Sequence, residues 1–194
     1  SGKVSLTDGF DATKDIRVGK FRITDFRGKK RWLSVPEIFM YSSNIGTIKI
    51  MQEVGKEYQW DFFQKLGFMD PVNLDFPEIG IPNLPNEWKE VNAMTASYGY
   101  GIAISPLHMI TAVAAMVNGG KIKYPTLLKQ DEPAAGKRVI SARTSDKMRR
   151  LLHLGVKQHA CPGDAVSDAG QPGQMPGRDL IAGQDRLANG LLGL

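Results

Sequence analysis

The chain of 194 residues holds a single cysteine, Cys161. That excludes an internal disulfide framework and any metal site built from several cysteines. Its three histidines, His108, His153 and His159, stand far apart with no ligand spacing, so no metal and no cofactor are expected. Two glycines in Tyr98-Gly99-Tyr100-Gly101 lack the full spacing of a nucleotide-phosphate loop. Long apolar runs are absent as well. The longest, Leu107 to Val117, contains His108 and Thr111 and is much shorter than the roughly 20 residues of a membrane span. No secretory leader opens the chain, and Ser1-Gly2-Lys3 begins it without Met. A fragment or a processed product is the expectation, and any membrane anchor of the parent protein is expected outside it.

What is present is enough for a core: 42% of the residues are hydrophobic, although 21 Gly and 11 Pro predict much loop. The net charge is +5 and the pI about 9.3, which permits contact with an anionic surface without identifying one. Residues 4–33 read as short strands and turns, with Asp8-Gly9, Gly19 and Gly28 as punctuation and alternation in Phe21-Arg22-Ile23. Lys14, Arg17, Lys20, Arg22, Arg27, Lys29, Lys30 and Arg31 crowd this stretch. They fit a solvated face, and equally a nucleic-acid-binding module over 14–32 or a surface for an anionic polymer. Phe21, Phe26 and Trp32 interleave with the charges as in single-strand binders, and fit the inward positions of a small sheet as well.

Helix signals follow. Ser34 and Pro36 open a helix that ends before Ser42. Ile45, Ile48, Met51 and Val54 recur every three residues and predict a second, stopped by Gly55. Tyr58, Phe62, Phe63 and Leu66 predict a third, with Gly67 as its stop and the aromatics in the core. Residues 68–97 read as irregular, with Pro71, Pro77, Pro82 and Pro85 in close succession. Ser105-Pro106 opens the clearest helix, with Leu107, Ile110, Ala114 and Val117 on one apolar face and Asn118-Gly119-Gly120 as its end. A strand over Lys121 to Pro125 and a helix over Ala142 to Leu154, capped by Ser141 and stopped by Gly155, complete the ordered part. Met148, Leu151 and Leu152 form the apolar stripe of that last helix. From His159 to Leu194 there is neither an aromatic residue nor a lysine, while Gly and Pro recur. With so little to bury, 159–194 is predicted to be a disordered tail, distinct from 1–158.

Two stretches carry chemistry together. The first is Tyr41-Ser42-Ser43-Asn44-Ile45-Gly46, which on its own reads as a helix cap. The second runs from Ala96-Ser97-Tyr98-Gly99-Tyr100-Gly101-Ile102-Ala103-Ile104-Ser105-Pro106-Leu107 to Asn118-Gly119-Gly120. Their order and separation resemble the transpeptidase domain of class B penicillin-binding proteins, especially the septal peptidoglycan D,D-transpeptidases of cell division. The resemblance covers roughly residues 1–158. It implies an α+β fold of the serine β-lactamase/D,D-transpeptidase type, here incomplete and mostly its helical subdomain. An incomplete sheet leaves open strand edges, so marginal stability is expected.

That family carries three motifs, S-x-x-K, S-x-N and K-T-G. The middle one matches as Ser42-Ser43-Asn44. The resemblance implies that Ser42 relays protons between catalytic lysines and the leaving amine, while Asn44 binds the substrate peptide and helps hold the first motif's lysine. No Ser has Lys three positions later, and no Lys-Thr-Gly occurs. The nucleophile is therefore expected outside this chain, and the chain is expected to be catalytically incompetent. Ile181-Ala182-Gly183 resembles the lead into the third motif, but Gln184-Asp185 follows, which together with the composition change after Gln158 is the pattern of a damaged or frameshifted reading. The implied ligands are the D-Ala-D-Ala end of a peptidoglycan stem peptide and β-lactams, with no nucleic acid. The implied setting of the parent is the periplasmic face of the inner membrane. An inactive remnant that keeps contacts with cell-division proteins is the remaining alternative.

Overall fold

The computed structural model describes residues 1–72, 74, 80–131 and 135–159, the last three by backbone alone. The predicted tail, with its Ile181-Ala182-Gly183 lead, lies outside the described residues apart from the backbone of His159. Among the described residues no helix is long and apolar enough to cross a membrane.

Three short antiparallel ladders stand apart from one another. β1 (Gly9–Asp11) pairs with β4 (Trp32–Ser34), Phe10 opposite Leu33. β2 (Ile16–Val18) and β3 (Phe21–Ile23) form a hairpin with Ile16 opposite Ile23. β5 (Lys121–Ile122) pairs with β6 (Lys137–Arg138), so the strand expected to reach Pro125 is only two residues long. Ladders this small are not stable alone and depend on helix packing. Leu33 and Ala12 are buried with Ile38 and Ile45, while Ile16, Val18 and Ile23 lie against Ile48, Met51, Ala93 and Met94.

Local signals place the first three helices as the sequence predicts. α1 (Val35–Tyr41) follows Ser34 with Pro36 in its first turn. The Glu37 carboxylate folds back on the start of the helix. Its Oε2 accepts the Ser34 N–H and the Ser34 hydroxyl, both at 2.9 Å, and its Oε1 accepts Arg31 Nη2 at 2.7 Å. The Arg31 hydrogen bond, then those from Ser34, hold the Glu37 carboxyl down at about 2. α2 (Asn44–Val54) buries Ile45, Ile48 and Met51 and ends at Gly55. α3 (Lys56–Lys65) sends Phe63 into a second core with Leu66, Phe68, Ala96 and Ala112. Phe63 meets Phe68 and Trp88 at centroid distances of 5.5 and 5.9 Å. Tyr58 is not part of this core. It is exposed, and its hydroxyl accepts the Ser1 ammonium at 2.6 Å.

Elsewhere the structure corrects the expectations. Residues 90–97 are not irregular but form α4 (Glu90–Ser97), whose Ala93 and Ala96 are fully buried. Every proline of the 68–97 stretch precedes it, and small residues let it pack against α2. α5 (Pro106–Val117) buries His108, Thr111, Ala112 and Ala115, whereas Leu107 and Ile110 of the predicted apolar face are exposed. Both stripes have helical spacing. The buried one hides its histidine by satisfying it: His108 Nε2 donates to the Asp70 carbonyl at 2.8 Å, and Nδ1 accepts the Ser105 N–H at 3.2 Å. α6 (Ala142–His159) passes through Gly155 instead of stopping there. A Cβ at Gly155 would stand 3.6 Å from Phe39 Cε1, an ordinary contact with no positive φ to force a break. The stripe of Leu151, with Met148 and Leu152 half-buried, is as predicted. Fully buried Ser145 ties α6 to α5, donating to Met116 O at 2.7 Å and accepting the Gly119 N–H at 3.0 Å.

The α1–α2 contact has no room to spare. A Cβ at Gly46 would lie 2.5, 2.8 and 2.9 Å from Cγ1, Cδ1 and Cγ2 of buried Ile38. Gly46→Ala therefore destabilises the chain by about 1–3 kcal/mol, the clash outweighing the roughly 1 kcal/mol of helix propensity it adds. A lower denaturant midpoint at unchanged slope is the readout. Glu37 makes the fold acid-sensitive in a defined window. Its folded-state pKa lies below the ordinary 4.5, so its contribution is complete above that pH and is lost as pH falls through about 2. In melts across that range, Glu37→Gln loses less stability on acidification than the parent sequence.

Candidate functional site

The corner between α1 and α2 carries the Ser42-Ser43-Asn44 triplet, and each residue has a different task. Ser42 closes α1 in the left-handed region, φ 51° and ψ 51°, its N–H bonded to Phe39 O at 3.2 Å and directed also at Ile38 O. Among the described residues only Lys30 and Ser42 are non-glycine residues with positive φ. A single residue held there costs of order 1–3 kcal/mol unless its surroundings enforce it. The enforcement comes from both sides, since the next amide, Ser43 N–H, also bonds back to Ile38 O at 3.0 Å.

Ser43 is the N-cap of α2 and is buried. Its hydroxyl accepts the Gly46 N–H at 3.0 Å and donates to Asp25 Oδ2 at 2.7 Å. The other Asp25 oxygen accepts the Ile45 N–H at 2.9 Å. One carboxylate thus ties the cap and the first turn of α2 at the positive end of the helix dipole. Asn44 donates its amide to Thr24 O at 2.9 Å. Its carbonyl oxygen and the Ser42 hydroxyl have no protein partner among the described residues.

The sequence expectation singled out Ser42 and Asn44, and they sit on one turn with Ser42 exposed and Asn44 half-buried. It missed Asp25 and Thr24. Asp25 is one acid in a basic stretch, 18 positions before Ser43, and no spacing rule connects the two. The second stretch also comes to α2. Tyr98, at the end of α4, packs on the cluster containing Ile48 and Met51, and burial followed by nearby Tyr100 pushes its phenol up. Gly99 and Gly101 both take positive φ, and a Cβ on Gly101 would stand 3.1 Å from Thr95 Oγ1.

Chemically, the corner offers an unengaged hydroxyl and an unengaged amide oxygen on a rigid turn. A hydroxyl accepts one proton while giving up another, and an amide orients a peptide. No lysine among the described residues hydrogen-bonds Ser42; Lys29 instead lies over the Tyr41 ring, 4.7 Å from its centroid. No group of three or more His, Cys, Asp or Glu among the described residues is placed to hold a metal ion.

Removing the clamp tests this anatomy. Asp25→Ala leaves the buried Ser43 hydroxyl without its acceptor and is expected to cost about 1–3 kcal/mol. Ser42→Gly exchanges left-handed strain for backbone entropy and changes stability by no more than about 1 kcal/mol. Urea denaturation of the two variants beside the parent sequence checks both.

Comparison with known proteins gives this corner its context. The penicillin-binding protein transpeptidase domain matches residues 2–176. A probable peptidoglycan D,D-transpeptidase FtsI of Caulobacter vibrioides is 31% identical over 180 residues, which cover 91% of this chain and 29% of that protein. A probable peptidoglycan D,D-transpeptidase PenA of Neisseria flavescens is 31% identical over 154 residues, covering 78% of this chain and 38% of that protein. Among solved structures, the apo transpeptidase domain of penicillin-binding protein 3 from Burkholderia pseudomallei superposes with a TM-score of 0.73 at 26% identity, over 79% of this chain and 47% of that one. The chain thus spans less than two fifths of these curated relatives. Its fold is the α+β fold of such domains, present in part, and the chain belongs to the penicillin-binding protein transpeptidase family.

Proposed function

We propose that this chain supplies the middle part of a peptidoglycan D,D-transpeptidase site, with Ser42 as proton relay and Asn44 as the group that orients the stem peptide. The supporting observation is the division of labour at the corner. Ser43 and Asp25 are consumed in holding the turn, while the neighbouring Ser42 hydroxyl is exposed and unengaged. In the reaction, a serine attacks the carbonyl of a D-Ala-D-Ala end, the terminal D-Ala leaves, and a neighbouring strand's amine takes the acyl group. Ser42 passes a proton to the leaving amine in the first half and receives one from the attacking amine in the second. Asn44, with one amide hydrogen held by Thr24 O, keeps its carbonyl oxygen available to the substrate's backbone. β-Lactams enter as mimics of the D-Ala-D-Ala end. The parent protein acts at the periplasmic face of the inner membrane, in contact with cell-division proteins.

The covalent step is beyond this chain alone. It has neither a Ser-x-x-Lys pair nor a Lys-Thr-Gly, and without an activated nucleophile there is no acyl-enzyme. Incubation with a fluorescent penicillin, followed by denaturing electrophoresis, is expected to leave the chain unlabelled. A covalently labelled band, lost in Ser42→Ala, would make Ser42 a nucleophile and overturn the relay assignment.

A further inference from the structure

The positive charge of this chain is not spread over it. Between Lys14 and Arg31 there are eight cations and two carboxylates, an excess larger than the +5 of all 194 residues. Both carboxylates are occupied. Asp15 pairs with Arg22, and Asp25 holds Ser43 and Ile45. The ladder register sets Arg17 directly opposite Arg22 on the outer face of the β2–β3 hairpin. Like charges opposite one another weaken a ladder, and it is the other face, with Ile16 and Ile23, that packs on α2 and α4.

Aromatic side chains stand out beside these charges. The sequence left open whether Phe21, Phe26 and Trp32 point inward; they are 67%, 82% and 64% exposed, so the inward reading fails. Lys20 and Arg27 lie over the rings of Phe21 and Phe26, each 5.8 Å from the centroid. Exposed rings offer flat apolar surface to the faces of sugars, and the adjacent cations attract carboxylates. Thr24 and Asp25, which anchor Asn44 and Ser43, lie in the chain between Phe21 and Phe26. A polymer laid along this segment is therefore carried toward the Ser42 corner.

We propose that the basic, aromatic surface over residues 14–32 is a docking site for the acidic glycopeptide strand of the cell wall, separate from the Ser42 corner. The choice of this polymer rests on the transpeptidase reading above, through the continuity of the surface with that corner. Docking uses charge for capture and ring contact for retention, and it falls with salt because the charges are exposed.

Co-sedimentation of the whole chain with purified peptidoglycan sacculi tests this, with chitin as an uncharged amino-sugar polymer, single-stranded DNA and phosphatidylglycerol vesicles as alternatives. The chain is expected to pellet with sacculi at low salt, far more than with chitin, and to be released at about 1 M salt, where the screening length is about 3 Å. The triple variant R17E/K20E/R27E is expected to lose most of the pelleted fraction with an unchanged circular dichroism spectrum. Phe21→Ala combined with Phe26→Ala, which alters no charge, is expected to lose part of it. Ser42→Ala is expected to pellet as the parent sequence does, so that docking and relay assignments fail independently. Absence of pelleting, full pelleting of the triple variant, or loss of pelleting in Ser42→Ala overturns the proposal. Equal or stronger capture by DNA or by vesicles overturns it in favour of that partner.

Discussion

One carboxylate sets the geometry on which the corner depends. Asp25 bridges a loop of the small-strand region to the first turn of α2, taking the Ser43 hydroxyl on one oxygen and the Ile45 amide on the other. Two hydrogen bonds from one acceptor fix the direction in which α2 starts. With α2 fixed, Gly46 can approach Ile38, and α1 must end in a left-handed residue to turn the corner. What the corner exposes follows from that. The side chain at position 42 is turned to solvent, while the one at position 43 is turned into the protein.

The same helix carries the packing that holds the rest. Its buried stripe meets the inner face of the β2–β3 hairpin and the small residues of α4. Ladders of two or three residue pairs do not hold themselves together; each here borrows its stability from a helix. The consequence is a tight link between the site and the core. α2 provides the capped turn at one end and Ile48 and Met51 along its length, so strain at the corner is felt by the whole helical layer.

How much of this was legible in the sequence depends on how far apart the interacting residues lie. Caps and stops are local: Ser34 with Glu37, Ser43 with Gly46, and Gly55 all follow from residues within one turn. The proposed pair Ser42 and Asn44 was legible only through its distance from the Ser97–Gly120 stretch. Asp25 was not legible, because its partners lie 18 and 20 positions away. Nor was the buried face of α5. Hydrophobic periodicity assigns Leu107 and Ile110 inward, but His108 and Thr111 lie there instead, the histidine satisfied by Asp70 O across 38 positions. A polar side chain can be buried when its partner is far away in sequence, and periodicity does not record the partner. α4 is hidden for a different reason: the prolines that break regular structure all precede it, and their density masks the proline-free residues 90–97 that follow.

The left-handed backbone at position 42 also narrows which residues this turn can accept. Threonine carries the same hydroxyl and the same proton chemistry as serine. Its branched Cβ, however, is poorly accommodated at a φ near 51°. Glycine, asparagine and aspartate tolerate the backbone but bring no hydroxyl. Serine alone among the ordinary alcohols combines a tolerable conformation with a transferable proton, so the backbone, as much as the chemistry, dictates which alcohol stands at this corner.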